Sequence, residues 1–211
     1  MNSKEILIQV AAEAAICTKC NLHFSRKKAV PGEGPADAEI MFIGEGPGFH
    51  ENEQGRPFVG PAGKFLDDLL AGIGMKREQV FIGNVVKCRP PSNRDPLPEE
   101  VDACSDYLDR QIAAINPKVI VTLGRFSMAK FLPNAKISEI HGQSFNVKGR
   151  LVVPMFHPAA ALHQPSLKNT VVDDFSHLPA LISQASAVRS KELEEEKNVE
   201  PKQEPKQLSL F

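Results

Sequence analysis

Residues 44–60, GEGPGFHENEQGRPFVG, constrain this chain more than any other stretch. They follow an apolar run, Ile40-Met41-Phe42-Ile43, of a length suited to one buried strand. Glycine occupies 44, 46 and 48, and Pro47 stiffens the turn, so the backbone can approach a ligand closely. Glu45 and Glu51 bring carboxylates into the loop, and Phe58 brings a flat apolar face. A helix is expected to open near Pro61, because proline is harmless in a first helical turn. A glycine loop with these side chains beyond a strand reads as a small-molecule or nucleotide site. The plain alternative is an ordinary strand-to-helix connection. The loop matches neither GxGxxG nor GxxxxGKS/T, so neither common phosphate loop is supported.

The rest of the chain repeats the strand-then-helix rhythm. Strands are expected over 39–44, 80–86 and 118–123, and a hairpin over 145–153 turns at Lys148-Gly149-Arg150. A further strand over 152–156 ends at His157-Pro158. Helices are expected over 4–16, 61–72, 98–115, 124–131 and 172–187. This alternation predicts an α/β sandwich around a largely parallel sheet. Ligands in such sheets gather beyond the carboxyl ends of the strands, where the glycine loop, Asn84 and His157 all fall.

The 211 residues allow one good core, and the net charge of −1 supplies no global basic field for nucleic acid. No apolar run is long enough to span a membrane, and the N-terminus lacks the pattern of a signal peptide, so a cytoplasmic location is expected. From 189 to 206 the composition turns charged and proline-bearing, as in a solvated linker. The chain then closes on Gln207-Leu208-Ser209-Leu210-Phe211, an apolar group that reads as a docking peptide.

Four cysteines fall at Cys17-x2-Cys20, Cys88 and Cys104. The close pair has the spacing of a metal knuckle, whereas the other two are dispersed, unlike a zinc ribbon with two close pairs. A [4Fe-4S] cluster and tetrahedral zinc both suit such a set, and Cys104 on a helix is also compatible with simple burial.

Taken together, Cys17-x2-Cys20, GEGPG at 44–48, GRPFVGPAG at 55–63, NVVKCRPP at 84–91, Cys104 and HPAA at 157–160 resemble the family 4 uracil-DNA glycosylases. The resemblance runs over roughly residues 10 to 180. It implies a three-layer α/β/α sandwich with a four-stranded, mainly parallel sheet over 1–188. It also implies that Cys17, Cys20, Cys88 and Cys104 hold a structural [4Fe-4S] cluster. The implied reaction extrudes uracil from single- or double-stranded DNA and hydrolyses its glycosidic bond without a Schiff base. Phe58 is then the stacking platform, Asn84 reads the base edge, and His157 donates to uracil O2 as the leaving base becomes anionic. The backbone of Gly44 and Gly46 contacts the base. Glu45 and then Glu51 are the candidates for orienting water, since Gly46 stands where the best-known branch has an aspartate.

Residues 158–165 are expected to form a loop entering the minor groove with Leu162 as a wedge. Lys87, Arg89 and Arg94 are candidates for phosphate contacts. No basic insertion with a histidine separates Cys88 from Cys104, which sets the chain apart from the covalent uracil-binding branch. The C-terminus resembles the bacterial sliding-clamp-binding motif, with Gln207, Leu208, Leu210 and Phe211 as anchors. A monomeric, nucleoid-associated DNA-repair protein is the expectation as a whole.

Overall fold

The computed structural model describes residues 1–198, with side chains through Ala185. The expected docking peptide at 207–211, and residues 199–206 of the expected linker, lie outside the described residues.

In chain order the elements are α1 (Ser3–Ile16), β1 (Ile40–Gly44), α2 (Phe49–Gln54), α3 (Pro61–Gly72), β2 (Phe81–Asn84) and α4 (Pro98–Ile115). They continue as β3 (Val119–Leu123), α5 (Arg125–Ala129), α6 (Ile137–Ile140), β4 (Phe145–Val147), β5 (Arg150–Met155), α7 (Pro158–His163) and α8 (Lys168–Asn198). The sheet runs β2-β1-β3-β5-β4. Four strands are parallel, and β4 adds a short antiparallel edge, so the sheet has five strands where the resemblance implies four. The fifth is half of the expected hairpin, which turns at Lys148 and Gly149, both with positive φ. Pro154 sits within β5 opposite Thr122, beyond the last residue that β4 pairs, so its missing N–H removes no ladder bond.

Helices cover both faces of the sheet because the central strands are apolar on both sides. In β1, Met41 and Ile43 join one core with Val10 and Ala14 of α1 and Leu108 and Ile112 of α4. Ile40 and Phe42 point the other way and pack with Leu66 and Leu70 of α3 and Val171 and Phe175 of α8. The alternation of strand side chains thus gives one core per face.

Three local departures from expectation have physical causes. A helix, α2, forms inside the glycine stretch, bounded by Gly48 before it and by Gly55 in the left-handed region after it. Residues 158–163, expected as a loop, form α7, which opens on Pro158 with His157 as its cap. The last helix, expected over 172–187, spans Lys168–Asn198 despite Pro179 within it.

Candidate active site

The β1–β2 ladder pairs Gly44 with Asn84, so the two strands end side by side. β5 runs parallel to β3 and delivers His157 to the same edge of the sheet. A cavity of about 390 Å³ opens there, lined by Glu45, Glu51, Phe58, Asn84, Asn93 and His157, among others. The sequence-predicted Gly46 also lines it, and Gly44 packs against two of its lining side chains, Asn84 and Phe58. A Cβ at Gly44 would stand 2.5 Å from Asn84 Oδ1 and 2.8 Å from the Phe58 ring, so only glycine leaves this cradle open.

Asn84 is 2% exposed, and its Oδ1 is buried with no hydrogen-bond partner among the described residues. An amide oxygen buried in this state is costly unless something donates to it. Its main-chain carbonyl is held by Lys87, whose Nζ donates to Asn84 O at 2.9 Å and to Gln111 Oε1 at 2.7 Å. Lys87 is therefore buried beneath the site, not available to phosphate as the sequence suggested. Burial also pulls its pKa down to about 8.

Phe58 has φ of +51°, a conformation uncommon for a bulky residue, and its surroundings impose it. Glu51 Oε1 accepts the N–H groups of Val59 at 2.9 Å and Gly60 at 3.0 Å, and Gly60 caps α3. Arg77 donates to Phe58 O at 3.1 Å and also to Pro57 O. A carboxylate at the opening of α3 is further favoured by the helix dipole. Glu51 thus fixes the loop that presents the ring. The Phe58 ring lies nearly parallel to His157, with centroids 5.4 Å apart and an interplanar angle of 24°.

His157 Nδ1 accepts the N–H of Ala159 at 3.1 Å. That bond assigns the proton of the neutral ring to Nε2, leaving a donor for a ligand. Burial lowers the His157 pKa to about 4, against the opposing pull of Glu51, so the ring is neutral at physiological pH. Glu45 behaves oppositely. Burial, reinforced by Asp95 and opposed by Arg125, raises its pKa to about 7.

Cys17, Cys20, Cys88 and Cys104 line one small pocket together with Ala14, Leu22 and Tyr107. Three sulfurs receive N–H donors: Cys88 from Arg26 at 3.5 Å, Cys104 from the Lys87 amide at 3.3 Å, and Cys17 from the Lys19 amide at 3.5 Å. Burial pushes the Cys104 thiol up to about 11, opposed by Lys87. Four sulfurs lining one pocket, three of them with N–H donors, have the chemistry of a thiolate-bound metal centre. Among the described residues, no group of three or more His, Cys, Asp or Glu side chains is arranged to hold a single metal ion.

Leu162 on α7 is 47% exposed, consistent with a surface role. Arg89 Nε donates to Asn93 Oδ1 at 2.8 Å, whereas Arg94 forks onto Glu100 at 2.8 and 2.6 Å. Asn93, missed from the sequence, lines the cavity with φ of +55°. Its position depends on the turn after Pro91, which no motif announces.

The sequence profile described as the Uracil DNA glycosylase superfamily matches residues 31–176. A type-4 uracil-DNA glycosylase of Sulfurisphaera tokodaii is 49% identical over 185 residues, which cover 83% of this chain and 84% of the relative. The chain belongs to the type-4 uracil-DNA glycosylases. Type-4 uracil-DNA glycosylases of Archaeoglobus fulgidus and Saccharolobus solfataricus are 47% and 48% identical over 187 and 184 residues. Those matches cover 84% and 82% of this chain, and 94% and 85% of the relatives. The family match spans the three strand ends that build the cavity, from Gly44 through Asn84 to His157.

Proposed function

We propose that the cavity receives a uracil extruded from DNA and that the chain hydrolyses its glycosidic bond to leave an abasic site in base excision repair. One observation carries the recognition step: the orphaned Asn84 Oδ1, aimed at the space beside Gly44 and Phe58. Uracil offers an N3–H to that oxygen and an O4 to the amide N–H₂. Cytosine has no proton on N3 and carries an amino group in place of O4, so the same amide rejects it.

Phe58 stacks on the base, and the close-packed Gly44 and Gly46 bring the backbone against its edge. His157 Nε2–H donates to uracil O2. As the glycosidic bond breaks, electrons pass into the base and negative charge grows on O2, so the bond strengthens in the transition state. A neutral donor suffices, in keeping with a pKa near 4. Glu45 is the carboxylate that orients the attacking water and faces the cationic sugar. Glu51, already holding two amides, is a positioning residue for the Phe58 loop.

Cys17, Cys20, Cys88 and Cys104 hold a [4Fe-4S] cluster, which supplies a structural cross-link. Those ligands would tie the end of α1, the 85–90 segment and α4 together. Leu162 serves as the wedge and Arg89 as a phosphate contact on single- or double-stranded DNA. Residues 1–188 form the catalytic unit, 189–206 the linker, and Gln207, Leu208, Leu210 and Phe211 dock on the bacterial sliding clamp. Such docking raises the local concentration of the enzyme on newly copied DNA. The protein works as a monomer in the nucleoid. No described helix is long and apolar enough to cross a membrane.

Incubation with a uracil-containing oligonucleotide followed by alkali tests the reading. Strand scission by the wild type, lost in Asn84→Ala and His157→Ala, is expected. Unchanged rates in both variants would overturn it.

A further inference from the structure

Phe24 and Phe49 are the two exposed phenylalanines among the described residues, at 80% and 54%. Phe49 opens α2 directly after Gly48, a lining residue of the cavity. The Arg89 guanidinium lies over this ring, 5.4 Å from its centroid, and His50 meets it edge-on at 5.5 Å. Arg89 is itself held by Asn93, another lining residue, and has no carboxylate partner among the described residues. Phe49 thus has Arg89 over its ring and His50 beside it, yet stays half open.

The segment carrying Phe24 packs alongside. Ser25 Oγ donates to Arg89 O at 3.5 Å, and the Lys27 amide donates to Asn52 Oδ1 in α2 at 3.0 Å. Of the cations at 17–28, Lys27 pairs with Glu53 and Arg26 turns inward onto Ala14 O, Cys17 O and Cys88 Sγ, so Arg89 is the cation that faces the Phe49 ring. An open aromatic ring backed by an arginine without a carboxylate partner, beside a base-binding cavity, has the chemistry that single-stranded nucleic acid requires.

We propose that Phe49, backed by Arg89, is a stacking platform for an unpaired base next to the extruded uracil. This rests on the glycosylase reading and adds a second base subsite to it. Arg89 holds the ring from one side and offers its remaining N–H groups to the flanking phosphate. The platform favours strands that are already single, because a paired neighbour would have to unstack first.

The test uses the full chain and single-stranded oligonucleotides with a stable abasic analogue at the uracil position. 2-Aminopurine is placed one nucleotide to either side. Stacking is expected to quench its fluorescence at one of the two positions on binding, with the quench lost in Phe49→Ala and restored in Phe49→Tyr. Loss of one stacked base should weaken binding about 5- to 150-fold. Arg89→Gln should lower the salt slope of single-strand binding by about 0.7. Equal quenching and affinity in the wild type and Phe49→Ala would overturn the platform, even if the wild type cleaves uracil-containing DNA. A wild type that does not cleave such DNA would instead overturn the glycosylase reading beneath it.

Discussion

Gly63 lies directly beneath Phe58: a Cβ at position 63 would stand 1.9 Å from the Phe58 carbonyl oxygen and 2.9 Å from its Cα. The contact is with backbone, so no rotamer change relieves it. Gly63→Ala should displace the strained Phe58 turn and cost about 1–3 kcal/mol of stability, as overpacking does. The melting temperature checks the second effect. Uracil excision should fall further than the lost stability explains, because the stacking ring moves with its backbone.

The Glu51 carboxylate satisfies two amides at the opening of α3, and removing it leaves both without their acceptor. Glu51→Ala should destabilise the fold by about 1–3 kcal/mol. Glu51→Gln keeps an acceptor oxygen and should recover most of the activity. A Gln variant as inactive as Glu45→Ala would instead make Glu51 the water-orienting carboxylate.

Glu45 sets the pH dependence. Its pKa lies near 7, above the unfolded value of 4.5, so the folded state favours the protonated acid. Its stabilising contribution is complete below about pH 4.5 and is lost as pH rises through about 7. If Glu45 orients the water as proposed, catalysis needs its ionised form and kcat should climb through an apparent pKa near 7. Glu45→Gln should abolish that limb and lower the rate throughout. His157 adds no inflection near neutrality, because its ring protonates only near pH 4. A rate profile of Glu45→Gln with the same limb would refute the assignment.

Metal removal offers a separate check. Purified protein should contain iron and acid-labile sulfide, and Cys104→Ala should lose both and melt lower. Zinc in place of iron would overturn the cluster. Because Asn84 and the Cys88 loop share one short segment, the depleted protein should also bind uracil-containing DNA less tightly.

Much of the site was legible because strand ends are legible. Ile40–Ile43, the run at 119–123 and the run at 152–156 are largely apolar over strand length, and the residues just past a parallel strand face the ligand edge. The hidden parts depended on distant partners. Lys87 reads as a surface cation, yet Gln111 on α4 and the Asn84 carbonyl accept its protons and allow its burial. Glu51 reads as an acid in a loop, but α2 turns it toward the opening of α3. That helix was obscured because its six residues are shorter than any periodicity can report. The fifth strand, β4, is only three residues long and was visible as half of a hairpin.

The double-sided burial of β1 also bears on how this protein can change over generations. Its odd and even residues serve different cores, and its last residue faces Asn84 across the ladder. Exchanges among branched apolar side chains keep every residue on its own face. A single inserted or deleted residue within β1 would turn each of those side chains to the opposite face and carry Gly44 out of line with Asn84. Lineages of this enzyme can therefore drift in the composition of that strand but not in its length.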